Sequence, residues 1–173
     1  MTDLSSRVLQ RFEDLYKRRA TGVWSAPGRV NLIGEHTDYN AGFVFPFAIN
    51  RRTVLALAPR EDRILRVASS FSPEPVSISI DDLSPEALDG WSAYPLGVAW
   101  ALGQFGAPLG LLTGADILLD SEVPVGAGLS SSAAIESAMA VALKDIWHLD
   151  FDRRNLAKVG QLAENRVVGA PTG

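Results

Sequence analysis

The order of the predicted elements indicates an α+β fold with a mixed sheet and helices packed on one face. Two observations support this class. Short runs that alternate apolar and polar residues or are rich in β-branched residues predict strands, and most of them lie in the first half of the chain. Two long runs at 130–147 and 152–168 predict helices near the end. Strands and helices do not alternate strictly, so a purely parallel sheet is not expected.

Each element follows from a local pattern. Leu4, Val8, Phe12 and Leu15 recur at helical spacing, which predicts a first helix over 4–19. A second predicted helix, 91–105, is followed by Gly106, and Asp152 is placed to cap the last helix. Strands are predicted at 23–33, 53–58, 64–68, 76–80 and 115–119. We expect 53–58 and 64–68 to pair with each other around the charged turn 60–62.

Composition excludes several classes of protein. The chain has 173 residues, of which 47% are hydrophobic, and this is enough for one globular domain over 1–173. The 16 Lys and Arg against 20 Asp and Glu give a net charge of −4, which argues against a nucleic-acid partner. The absence of cysteine excludes disulfides and thiolate metal sites and favours a cytoplasmic location. No apolar run is long enough to cross a bilayer, so no membrane partner is expected.

A glycine- and serine-rich loop at 124–134 lies between a predicted strand and the helix 130–147. Glycine lets the backbone approach a ligand closely, and a helix start presents free N–H groups and a favourable dipole to an anion. The loop is therefore predicted to hold phosphate, although it lacks the Lys-Ser/Thr ending of a Walker A motif. A serine hydroxyl and a distant carboxylate are suitable ligands for Mg²⁺. The alternative is that the serines only cap the helix and the glycines only turn the chain.

A second cluster of polar residues follows the strand that carries Arg29. Glu35, His36 and Asp38 lie in the next loop, where carboxylates and an imidazole can hold several sugar hydroxyls. Arg29 is suited to stabilise a carboxylate base or a phosphoryl group in transfer. The alternatives are a surface ion pair for Arg29, a histidine without a role, and a metal site at Glu35, His36 and Asp38.

The two segments together resemble the galactokinases, a branch of the GHMP small-molecule kinases. The resemblance runs from Trp24 to Gly173; the segment 28–40 is similar to the galactokinase signature, and 124–134 to the ATP-binding motif of the superfamily. It implies the N-terminal lobe of a GHMP kinase, with a fold like that of ribosomal protein S5 domain 2. It also implies ATP and Mg²⁺ as cofactors and D-galactose, phosphorylated at its anomeric hydroxyl, as substrate.

The resemblance assigns a role to individual residues. Arg29 corresponds to the residue that stabilises the transition state, and Ser69 to one near the adenine. Mg²⁺ is assigned to Ser132 and Glu164. The residues that correspond to the galactose-binding set are Glu35, His36, Thr37, Asp38 and Gly173. Those of the phosphate loop over ATP are Gly126, Ala127, Gly128, Leu129, Ser130, Ser131 and Ser132.

The resemblance also implies that parts of the kinase lie outside this chain. The family's catalytic aspartate follows within three residues of the position of Gly173, and a second, C-terminal lobe completes the enzyme. We therefore expect the chain alone to be inactive or nearly so, and marginally stable because the face toward the other lobe is exposed. Two alternatives remain: a kinase for another sugar or alcohol, and a galactose- and ATP-binding sensor without catalysis.

Overall fold

A five-stranded mixed sheet forms the centre of the computed structural model, which describes residues 3–34, 37, 40 and 42–172 apart from the side chain of residue 73. The strand order is β1-β2-β5-β3-β4; β3 and β5 are parallel and the other neighbours are antiparallel. The strands are β1 (Gly22–Asn31), β2 (Pro46–Pro59), β3 (Ile64–Ser69), β4 (Ser72–Ser79) and β5 (Ala115–Ser121). The helices are α1 (Leu4–Tyr16), α2 (Ala93–Gln104), α3 (Ser131–Ile146) and α4 (Arg153–Ala163).

Helices cover both faces of the sheet, and side-chain alternation along the strands divides the core accordingly. On β2, Leu55 and Leu57 face the larger core with α2, α3 and α4. Val54 and Ala56 face the opposite side, where they pack against α1. The α+β class is therefore confirmed, and packing on one face holds for α2, α3 and α4. The prediction that helices cover only one face is wrong for α1, because the central strands are apolar on both faces and α1 buries the second one.

The predicted pairing of the second and third strands is wrong. β5 lies between them, antiparallel to β2 and parallel to β3. The run 115–119, apolar except for Asp116, is buried on both faces as a central strand must be, and it displaces the local hairpin. At α1 the buried aromatic side chain after Phe12 is Tyr16, whereas Leu15 is 43% exposed.

The last helix is shorter than predicted, and its end has a special geometry. The side chain of Asp152 accepts a hydrogen bond from Asn155 N at 2.7 Å, so the predicted N-cap is confirmed. The α-helical part ends at Ala163, and a π-helical turn continues over Glu164–Val168. A π-helical turn widens the helix, and such turns often lie at functional sites. No helix among the described residues is long and apolar enough to cross a membrane.

Candidate active site

The glycine- and serine-rich loop leads into α3 through several residues in the left-handed backbone conformation. Gly126 and Gly128 have φ values of 73° and 69°, which glycine adopts without strain. Ser130, the residue before α3, is also left-handed at φ 57°, and its side chain does not cap the helix. The alternative that these serines only cap α3 therefore does not hold at Ser130. The first N–H groups of the helix stay available for an anion.

Arg29 joins the polar segment 28–40 to this loop. Its Nε donates to Ser130 Oγ at 3.1 Å, and its backbone N donates to Leu129 O at 3.1 Å. The register of β1 against β2 shifts between Pro27 and Arg29, and such an irregularity changes the direction of the strand. Gly28 makes the contact possible, because a Cβ there would lie 2.7 Å from Leu129 O. The two motifs are therefore parts of one site.

A cavity of about 650 Å³ lies beside this junction, and it is called the main cavity here because it adjoins both motifs. The phosphate loop and Arg29 form one part of its wall. Three aromatic side chains, Phe71, Trp91 and Tyr94, line it together with Ser69. Ser69 is buried, and its hydroxyl accepts a hydrogen bond from Phe71 N at 3.1 Å. Burial and then the charges of Glu164 and Glu136 raise the pKa of Tyr94. Apolar rings beside a phosphate cradle suit a nucleotide, whose base stacks and whose phosphates accept hydrogen bonds.

Ser132 and Glu164, which the resemblance assigns to Mg²⁺, lie in contact with each other. Ser132 Oγ donates to Glu164 Oε1 at 2.6 Å across the gap between α3 and the π-helical turn after α4. A hydroxyl and a carboxylate are hard oxygen donors, and Mg²⁺ is commonly held by one or two such groups and its own waters. Both residues therefore fit a magnesium ion beside the phosphate loop.

A second, smaller cavity of about 250 Å³ lies between α3, α4 and β1. Arg29 and Glu164 line it, and so does Glu136, which is only 2% exposed. Burial and then the charge of Glu164 raise the pKa of Glu136 to about 9. In the absence of a bound cation, Glu136 is therefore protonated at neutral pH.

The structure brings together some of the predicted residues and leaves others undescribed. Arg29, Ser69, Ser132 and Glu164 lie around the two cavities, as do most of the loop residues 126–132. The predictions for Glu35, His36, Asp38 and Gly173 fall outside the described residues. The Thr37 hydroxyl lies 3.0 Å from Gly34 O and 2.8 Å from Phe43 O, so it stabilises its own loop. A sugar contact for Thr37 stays a prediction.

Sequence reasoning missed several residues of this site. Phe71, Trp91 and Tyr94 line the main cavity, and no motif in the sequence singled them out. These side chains come from separate elements, so no local spacing indicates that they meet. Glu136 was missed although it follows Ser132 by four residues, the interval that places two side chains on one helix face.

Two protein-family models match the chain. The galactokinase galactose-binding signature matches residues 10–59, and the N-terminal domain of GHMP kinases matches residues 93–173. The galactokinase of Streptomyces coelicolor is 50% identical over 171 residues, which are 98% of this chain and 43% of that protein. The galactokinase of Exiguobacterium sibiricum is 41% identical over 100% of this chain and 44% of its own length.

The chain belongs to the galactokinase family of GHMP kinases. A crystal structure of Lactococcus lactis galactokinase complexed with galactose agrees in fold, with a TM-score of 0.88 and 34% identity over 99% of this chain and 44% of that one. The mevalonate kinase of Methanococcus jannaschii shares the fold alone, with a TM-score of 0.72 and 19% identity over 87% of this chain and 48% of that one. The galactokinase-family chain described here spans less than half the length of the curated relatives it matches.

Proposed function

We propose that this chain carries the nucleotide site and part of the sugar site of a galactokinase, which transfers a phosphoryl group from ATP to the anomeric hydroxyl of D-galactose. The observation that carries the proposal is the hydrogen bond from Arg29 Nε to Ser130 Oγ. It places the galactokinase signature directly against the phosphate loop. Phosphoryl transfer depends on holding donor and acceptor side by side, and this contact supports a shared site for the two.

The ATP part of the proposal rests on the main cavity and the start of α3. The aromatic side chains of Trp91 and Tyr94 provide apolar surface for a base, and Ser69 lies in the same wall. The open loop 126–132 offers backbone N–H groups to the phosphates. Ser132 and Glu164 would hold Mg²⁺, which neutralises phosphate charge when bound.

The galactose part rests on the match to the galactose-binding signature at 10–59 and on the galactose complex of the Lactococcus lactis relative. We assign sugar binding to Glu35, His36, Thr37, Asp38 and Gly173, whose carboxylate, imidazole, hydroxyl and backbone groups match the hydroxyls of a hexose. A cytoplasmic location remains part of the proposal. So does a single domain over 1–173, with its signature at 28–40 and its loop at 124–134.

Catalysis in the whole enzyme would combine charge stabilisation by Arg29 with proton removal by an aspartate. The guanidinium of Arg29 lies at the boundary of the two cavities, where it can stabilise negative charge on a transferring phosphoryl group. We assign the general base and the second lobe to the part of the Streptomyces coelicolor relative that this chain does not match, because the chain spans 43% of that protein. Loss of a general base lowers rates by roughly 10²–10⁴-fold.

Two assays test the proposal on the 173-residue polypeptide. Isothermal titration is expected to show binding of ATP with Mg²⁺, and of D-galactose in preference to its C4 epimer D-glucose. A coupled kinase assay is expected to show turnover at least about 100-fold below that of the Streptomyces coelicolor relative. Binding of neither ligand would contradict the proposed function, and turnover within a few-fold of that relative would contradict the assignment of the base.

A further inference from the structure

The segment 169–172 is tied back to the end of the last helix by hydrogen bonds. Gly169 is left-handed at φ 79° and follows the π-helical turn. Its N–H donates to Glu164 O, and the N–H of Ala170 donates to the same oxygen at 3.1 Å. Glu164 therefore anchors the start of this segment through its backbone, while its side chain receives the hydroxyl of Ser132.

Asn165 holds the end of the same segment by two hydrogen bonds. Its Oδ1 accepts from Thr172 N at 2.8 Å, and its Nδ2 donates to Thr172 O at 3.2 Å. Gln161, one helical turn earlier on the same face, donates from Nε2 to the same carbonyl at 3.4 Å. Thr172 follows Asn165 by seven residues and Gln161 by eleven, so the chain reverses its direction after the helix.

This segment leads to the proposed sugar site. Thr172 is the residue before Gly173, which we assign to D-galactose. Thr172 also lines the smaller cavity between α3, α4 and β1, together with Arg29. Because a peptide unit is planar, the hydrogen bonds to the Thr172 carbonyl constrain the direction in which the chain continues. Binding groups must be held in a defined geometry, so the side chains that set this direction matter for the sugar.

We propose that Asn165 is a positioning residue, which holds the segment 170–172 so that Gly173 can contact the sugar. The inference rests on the proposed function, because the sugar contact of Gly173 is part of it. Asn165 is exposed and uncharged, so its effect comes from its two hydrogen bonds and not from packing or charge. Gln161 makes one longer hydrogen bond and therefore contributes less.

The test compares ligand affinities of the parent chain, Asn165→Ala and Gln161→Ala by isothermal titration of the 173-residue polypeptide. Asn165→Ala is expected to weaken D-galactose binding about tenfold, because two hydrogen bonds to the chain before Gly173 are lost. Gln161→Ala is expected to weaken it less than about threefold. The affinity for ATP with Mg²⁺ is expected to stay unchanged in both variants, because other residues line the main cavity.

A matched control and a ligand-free measurement accompany the titrations. Asn155→Ala makes the same change in the first turn of α4, about 15 Å of helix before Asn165, and is expected to leave both affinities unchanged. Amide exchange of Thr172, followed by nuclear magnetic resonance without ligand, is expected to be faster in Asn165→Ala than in the parent chain, because its N–H loses its acceptor.

The outcomes separate this inference from the proposed function. Equal D-galactose affinity in the parent chain and Asn165→Ala would overturn the inference alone, and so would unchanged exchange of the Thr172 amide. An equal loss of ATP affinity in Asn165→Ala would also overturn it, because it would indicate a general disturbance of the π-helical turn. Absence of D-galactose binding in the parent chain would contradict the proposed function, and the inference that rests on it would fail with it.

Discussion

Buried polar groups on the two faces of the sheet differ in whether their hydrogen bonds are satisfied. On the α1 face, the Tyr16 hydroxyl donates to Ile117 O at 2.8 Å, and burial followed by the charge of Asp116 raises the Tyr16 pKa. Asp116 is itself 1% exposed and receives hydrogen bonds from Arg60 and Arg66. On the other face, the buried Oε1 of Glu136 has no hydrogen-bond partner among the described residues. The comparison indicates that the first face serves stability, whereas the second carries the cavities that we propose for ligand binding.

A substitution in the core of the α1 face gives the largest expected effect. Phe12 is fully buried and packs edge-on against Tyr16 with 4.8 Å between ring centroids. Phe12→Ala is expected to lower the free energy of unfolding by about 3–5 kcal/mol, because it removes contacts and leaves a cavity. Urea denaturation measures the loss. ATP affinity of the folded fraction is expected to stay unchanged; a tenfold change would show that the faces are not separate.

Glu136→Gln on the opposite face of the sheet is expected to stabilise the protein. Glu136 holds its proton in the folded state up to a pKa of about 9, whereas its ordinary value is 4.5. Between these values, each pH unit costs the native state about 1.4 kcal/mol, because the unfolded chain ionises and the folded chain does not. The amide does not ionise, so the variant gains on the order of 3 kcal/mol at pH 7.

Urea denaturation of the parent chain and Glu136→Gln at pH 5, 7 and 9 checks the sign of the predicted change in the free energy of unfolding. The stability difference is expected to be small at pH 5, to grow through pH 7, and to be largest at pH 9. A difference that does not depend on pH would mean that Glu136 is ionised in the native state.

Gly28→Ala is expected to have a smaller effect, confined to the ligand-binding end of the molecule. The new Cβ would meet Leu129 O at 2.7 Å, so β1 and the phosphate loop must separate. We expect ATP affinity to fall at least tenfold, about 1.4 kcal/mol. Gly110→Ala is the matched control, since nothing lies within 4 Å of its Cβ position. Similar affinities for the two variants would contradict a tight contact at Gly28.

Local patterns predicted most elements and the phosphate loop, but not how distant elements meet. The α+β class, the Asp152 cap and the paired Ser132 and Glu164 follow from sequence alone or from the resemblance. The place of β5 between β2 and β3 does not, because strand order depends on which apolar run is buried on both faces. The aromatic wall of the main cavity depends on that order, so it was not predictable either.

Glu136 shows a different limit of sequence reasoning. Its spacing from Ser132 indicates a shared helix face, but a glutamate on a helix is usually exposed to solvent. Its burial follows from the close approach of α4 at Gly160, a contact between helices that their separate patterns do not specify.

The most direct test of a single site built from two motifs is a double-mutant cycle on the Arg29–Ser130 hydrogen bond. ATP affinity is measured by isothermal titration for the parent, Arg29→Ala, Ser130→Ala and the double variant. We expect the double variant to bind much as the weaker single variant does, with a coupling energy of about 1 kcal/mol or more. Effects that add within about 0.3–0.5 kcal/mol would show that the two motifs act independently and would contradict the proposed site.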